Sequence, residues 1–207
     1  MYNEILKDRT EAAFLLSEKL KKYKNSNSVV LAVPRGGVPL GYIIAKSLQL
    51  PLDIVLSKKI GHPSNKEFAI GAVSLNSTIL DEHPTVPKEY IENEIARLRN
   101  VLREKYKLYR GDREPQVLEN KNVILVDDGI ATGNTLLASI EMLRKQHPAK
   151  IIVAVPVLPY DTVPLFEKHT DELIYLIASK NFRGVGGFYK DFQQLEDEEV
   201  IKMLQAN

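Results

Sequence analysis

The feature that most limits how this chain can fold is a set of short, continuous apolar runs. Residues 28–33 (SVVLAV), 52–56 (LDIVL), 123–126 (VILV), 150–157 (KIIVAVPV) and 173–177 (LIYLI) are each only four to eight residues long. They are too short for buried helices and too continuous for strands with one wet face. A strand covered on both faces of a parallel sheet reads this way. Helix-length segments fall between them. In residues 8–23, Ala12, Leu15, Leu16 and Leu20 sit near 3.6-residue spacing, with charges between. Residues 38–48 and 135–145 are the next two expected helices. Alternating strands and helices predict an α/β fold, a parallel sheet flanked by helices.

One stretch breaks the rhythm. Residues 60–115 hold Gly61, Pro63 and Gly71, then a long charged helix expected over 87–109. Its Ile91, Ile95, Leu98 and Leu102 form one narrow apolar stripe, which suits the domain itself or a partner chain. We expect a hairpin through 68–75 and read the stretch as an inserted lid and long helix in a single domain over 1–207. Residues 180–207 form a C-terminal segment, with a helix turn at 196–199 in which Asp197 caps and Val200, Ile201 and Leu204 pack.

Composition excludes several functions. The chain lacks cysteine, so disulfides, thiolate zinc sites and a thiol nucleophile are out. Its formal charge of +1 argues against a nucleic-acid or anionic-membrane partner. No apolar run reaches membrane-span length, and the first ten residues lack a signal-peptide core. The expectation is a cytoplasmic protein.

The most informative loop is VILVDDGIATGNT, residues 123–135. A buried strand delivers Asp127 and Asp128, and Gly129, Ala131, Thr132, Gly133, Asn134 and Thr135 then lead into a helix. Free N–H groups at a helix start attract phosphate. Two carboxylates beside them suit sugar hydroxyls or a hydrated Mg2+. The bland alternative is a strand–turn–helix with Thr135 as N-cap and solvated aspartates.

This loop resembles the signature of type I phosphoribosyltransferases, which bind phosphoribosyl pyrophosphate (PRPP). The whole chain is also similar to a poorly characterised bacterial group of that family. The points of likeness are Asp8-Arg9, the 34–37 PRGG loop, the KKIG and EFAIG stretches, and the GFYKDF ending. The resemblance implies that Asp127 and Asp128 take the ribose hydroxyls, with Mg2+ held directly or through water, and that residues 131–135 cradle the 5-phosphate. It implies pyrophosphate binding by Arg35, Gly36 and Gly37, through a loop that is often strained, and by Lys58 and Lys59 at the end of the second strand. The 61–71 segment would be a lid, with Lys59 and Glu67 as candidates to act at the reacting centre. Ala131 stands where hypoxanthine and guanine enzymes carry an aspartate, so a base at that position is missing. Phe188, Tyr189 and Phe192 either stack on an acceptor or pack the C-terminal segment on the sheet. The implied function is Mg2+-dependent transfer of phosphoribose from PRPP to a small-molecule nitrogen acceptor, a nucleobase first, with homodimers common in the family. The alternative is a PRPP- or nucleotide-sensing regulator on the same fold.

Overall fold

The computed structural model describes residues 5–81 and 86–205, and for Glu67 the backbone only. Helix α1 (Arg9–Lys19) starts at Asp8, whose carboxylate accepts the Glu11 amide at 2.8 Å. Strand β1 (Ser28–Ala32) and helix α2 (Gly37–Leu48) follow, then β2 (Leu52–Ile54). Next come β3 (Ser57–His62), β4 (Asn65–Ser74), β5 (Thr78–Leu80) and the long α3 (Lys88–Arg110). The chain ends through β6 (Asn122–Val126), α4 (Asn134–Arg144), β7 (Lys150–Pro159), α5 (Val163–His169), β8 (Glu172–Ser179) and α6 (Asp197–Gln205).

The expected parallel sheet is present, in the order β2-β1-β6-β7-β8 with every pairing parallel. Its strands are buried on both faces, as their unbroken apolar runs require. Val30, Ala32, Ile124, Val126, Ile152 and Ala154 face a core shared with α1 and α2. Their neighbours Val29, Leu31, Val123, Leu125, Ile151 and Val153 face a second core with Leu136, Ile140 and Phe166. Alternation along a strand sends successive side chains to opposite faces. Each fully buried aliphatic residue stabilises by about 1.5–3 kcal/mol relative to exposure.

Residues 57–80 form a second, antiparallel sheet, β3-β4-β5, larger than the hairpin expected over 68–75. Strand β2 is also shorter than the apolar run 52–56. The Val55 amide still bonds to the Ala32 carbonyl at 3.0 Å, but the chain then turns into β3. Lys58 and Lys59 therefore lie within β3, opposite Val73 and Ala72, and not at the end of the second strand of the parallel sheet. No glycine or proline marks that exit, so the sequence hides it.

The apolar stripe of α3 turns inward. Leu98, Leu102, Tyr106 and Tyr109 are buried in the first core, and Ile91 and Ile95 pack partly against it. The stripe thus serves this domain. Buried Asp53 ties the insertion to the sheet. It accepts the Tyr106 hydroxyl at 2.8 Å and the Gln116 amide at 2.8 Å, and the Arg110 Nε stands 3.4 Å away. Helix α6 starts one residue earlier than a cap at Asp197 requires. The Glu196 amide donates to the Glu199 carboxylate at 3.0 Å, and Asp197 belongs to the first turn.

Candidate functional site

Strand order reverses between β1 and β6. The chain leaves β1 toward β2 on one side and β6 toward β7 on the other, so two loops diverge from adjacent carboxyl ends. That crevice is where open α/β sheets bind ligands. The loops there are 33–36 after β1 and 127–133 after β6. The first loop stays paired to the end of β6, where the Val33 amide bonds to the Val126 carbonyl at 2.9 Å. A Cβ on Gly37 would fall 2.5 Å from the Val126 oxygen, so only glycine allows this approach. The Pro34–Arg35 peptide is cis.

After β6, the loop wraps a cavity of about 200 Å3. Asp127, Gly129, Ala131, Thr132, Gly133 and Thr135 are among its walls. Gly133, at φ +79°, is the N-cap of α4, a conformation that favours glycine. No side chain caps this helix start, so Thr135 is not the N-cap and the first amides of α4 are left for a ligand. Asn134 is the first helical residue. The cavity wall thus combines an uncapped helix start and two threonine hydroxyls with an aspartate.

The two aspartates differ. Asp127 forms no ion pair among the described residues; its carboxylate accepts the Asp128 amide at 2.8 Å. Burial, and then the neighbouring Asp128 charge, push its carboxyl up to about 8. Asp128 is also raised by burial, against the opposing pull of Arg9. Arg9 donates twice to its Oδ2, from Nε at 3.0 Å and Nη2 at 2.8 Å. A Cβ on Gly36 would sit 2.1 Å from that same oxygen, so the Asp128 carboxylate lies directly over the 34–37 loop.

Arg35 faces carboxylates, with Nη1 3.9 Å from Glu196 and 3.8 Å from Asp197. Lys58 and Lys59 line another cleft, about 560 Å3, with Gly61, Lys66, Glu94 and Arg97. In that cleft Lys66 donates to the Tyr90 hydroxyl, which donates to the Gly61 carbonyl, both at 2.6 Å. The 61–71 segment is therefore a hairpin pinned to α3. The side chain of Glu67, the other candidate there, lies outside the described atoms. A wider groove of about 730 Å3, lined by Arg103, Tyr106 and Pro115 among others, offers no helix start.

The aromatics expected to meet an acceptor are packed. Phe188 is buried and stacks on Phe182, with centroids 5.4 Å apart. Tyr189 is buried, stacks on Phe192 at 5.0 Å and donates to the Asp128 carbonyl at 2.7 Å. Burial and the Asp128 charge push its phenol up. Phe192 is 37% exposed and carries the Arg9 guanidinium 4.0 Å above its ring. Of the two readings of these rings, packing describes Phe188 and Tyr189.

Sequence alone assigned no role to Arg9 or Asp53. A signal for each was present. A cation in the first turn of a helix opposes the helix dipole, and an aspartate inside an apolar run needs buried partners.

The match to known proteins agrees with this fold. Residues 1–193 fit the phosphoribosyl transferase domain model, and the chain belongs to that family. It is 32% identical over 206 residues to a curated Mycobacterium tuberculosis protein provisionally named a phosphoribosyl transferase. The match takes in 97% of this chain and 46% of that protein, so the chain spans about half its relative's length. The protein TT1426 from Thermus thermophilus superposes with a TM-score of 0.85 at 36% identity, over 98% of both chains. A purine phosphoribosyltransferase from Pyrococcus horikoshii shares the fold, with a TM-score of 0.52 at 20% identity, over 91% of this chain and 92% of that one. No helix among the described residues is long and apolar enough to cross a membrane.

Proposed function

We propose that the chain transfers the phosphoribosyl group of PRPP to a nitrogen acceptor, with a nucleobase as the first candidate, and releases pyrophosphate. One observation carries the reading. The cavity at the strand-order switch is lined by both an uncapped helix start and Asp127. A phosphorylated sugar with vicinal hydroxyls presents the matching pair of groups.

In this reading the α4 amides, Thr132 and Thr135 hold the 5-phosphate. Asp127 accepts from the ribose hydroxyls. The 34–37 loop, lying under Asp128, holds the pyrophosphate with Arg35 once that guanidinium leaves Glu196 and Asp197. The C1–oxygen bond breaks, pyrophosphate takes its electron pair, and the acceptor nitrogen bonds to C1. Positioning and charge stabilisation supply most of the rate. The nitrogen loses its proton to a base other than residue 131, because Ala131 has no carboxylate to accept it.

Mg2+ fits the acidic pair. That ion is usually held by one or two carboxylates plus substrate phosphates, and Asp127 is a carboxyl without an ion-pair partner among the described residues. No cluster of three or more possible ligands occurs among the described residues, so the fit is to an ion arriving with PRPP. When bound, Mg2+ would neutralise charge on the leaving pyrophosphate. Lack of cysteine suits a reducing cytoplasm.

A sensing role is the second reading, favoured by the engagement of Arg35 with Glu196 and Asp197, which occupies the expected pyrophosphate ligand. The test is to incubate the protein with PRPP, Mg2+ and pooled purine and pyrimidine bases and to search for a new nucleoside monophosphate by mass spectrometry. A product establishes the transferase and names its acceptor. PRPP that raises the melting temperature without a product favours the sensor. No product and no shift overturns both.

A further inference from the structure

We propose that Arg9 is a positioning residue that gives the two adjacent aspartates different roles and joins the ribose end of the site to the acceptor-side segment. This rests on the PRPP reading above and adds a residue to it.

Three groups from two distant segments of the chain converge on one guanidinium. Two of its N–H groups reach the Asp128 Oδ2, at 3.0 and 2.8 Å. Its Nη1 donates to the Gln193 carbonyl at 2.8 Å. Its carbon lies 4.0 Å from the Phe192 ring centroid. Both partners of the ion pair are mostly shielded, with side chains 12% and 14% exposed. A shielded, forked pair of this kind holds geometry in a way that a surface pair does not.

Its place in the chain is unfavourable without that function. Arg9 is the first residue of α1, where the helix dipole repels a cation. Asp8 and Glu11 in the same turn offset part of this, yet the Arg9 side chain points away to Asp128. The local helix gains nothing from an arginine here; the loop 119 residues away does.

The consequences run in two directions. Toward the sheet, Arg9 holds Asp128 above Gly36, which adds to the Val33–Val126 hydrogen bond between these segments. Asp127 is thereby left as the carboxyl that meets the ligand. Toward the C-terminal side, the same guanidinium fixes Phe192 and Gln193, while Tyr189 bonds to the Asp128 carbonyl. The segments around Leu6 and Tyr189 run parallel and exchange backbone hydrogen bonds, Leu6 to Phe188 and Lys190 to Leu6, both at 2.8 Å. A displacement of Asp128 on ligand binding is therefore felt at residues 189–193 through Arg9 and Tyr189.

The experiment is a double-mutant cycle on Mg2+-PRPP binding, read by titration calorimetry, with Arg9→Gln, Asp128→Asn, Asp127→Asn and the two pairs with Arg9→Gln. Residues that orient a metal-ligating side chain typically change metal affinity by about 10–100-fold when lost. Arg9→Gln should weaken binding by that factor. Combined with Asp128→Asn it should add little, because the two act as one unit. Combined with Asp127→Asn the loss should clearly exceed that of either single variant. Arg9→Lys, which keeps the charge but loses the fork, should recover only part of the affinity. Hydrogen exchange supplies the second readout: Arg9→Gln should speed exchange of the 188–193 amides and leave β6 and β7 protected, which also verifies folding. Wild-type affinity in Arg9→Gln, or losses that multiply with Asp128→Asn, would overturn the positioning role alone. Failure of the wild-type protein to bind Mg2+-PRPP would overturn the reading on which it rests.

Discussion

The Tyr109 hydroxyl donates to Asp197 at 2.7 Å, and the same aspartate oxygen stands 3.8 Å from Arg35. One residue of α6 thus faces both the long helix of the insertion and the loop after β1. Tyr109 is fully buried, so its hydroxyl has little access to water as a substitute. Tyr109→Phe should cost about 1–2 kcal/mol, seen as a lower urea midpoint with unchanged slope. An unchanged midpoint would show that the contact is not formed in solution.

Asp53 and Arg110 are more strongly committed. Both side chains are almost wholly buried, 3% and 5% exposed, and Tyr106 and Gln116 complete the shell around the carboxylate. Removing one charge of such a pair strands the other. Arg110→Met should lose about 3–5 kcal/mol of stability. Arg110→Met with Asp53→Leu should recover much of that loss, which chemical denaturation of both variants can measure.

Gly36 lies against Asp128 so closely that any side chain displaces the carboxylate. Gly36→Ala should keep the fold, since its backbone has ordinary helical angles, φ −57° and ψ −37°. It should weaken Mg2+-PRPP binding by roughly tenfold or more through misplacement of the loop. Calorimetry alongside circular dichroism separates this outcome from general unfolding.

Asp127 predicts a pH dependence. Its carboxyl is raised to about 8, by burial first and the Asp128 charge second, while in the unfolded chain it titrates in the ordinary carboxylate range. Between those values the folded state binds more protons than the unfolded one. Its contribution to stability is therefore present at acid pH and is lost as pH rises toward about 8. Asp127→Asn should flatten the melting temperature across pH 5–8 and melt several degrees above wild type at pH 8. Melting curves of the two proteins over that range decide it; parallel curves would remove Asp127 as the source.

The parallel sheet and the Asp127–Thr135 loop were legible because both are local patterns: unbroken apolar runs, then polar residues and glycine at a helix start. The exit from β2 was not legible. Val55 and Leu56 continue the apolar run, but they carry the chain from one sheet to another, and that moved Lys58 and Lys59 to a different surface. The α3 stripe showed its apolar side without its partner, since Leu98 and Tyr106 pack on residues far away in sequence. Arg9 stayed hidden for the same reason: its meaning lies in Asp128. Phe188 and Tyr189 were visible as an aromatic cluster, while the backbone pairing with Leu6 that buries them was not.

That pairing also sets an order of assembly. Strands β1, β6 and β7, together with Arg9 and Asp128, all leave the ribosome before residues 188–193. The crevice between the loops after β1 and β6 can therefore form while the segment that packs beside it is still missing. Only the late-made segment, zipped to Leu6 and bonded to Asp128, converts a half-open cradle into a finished site.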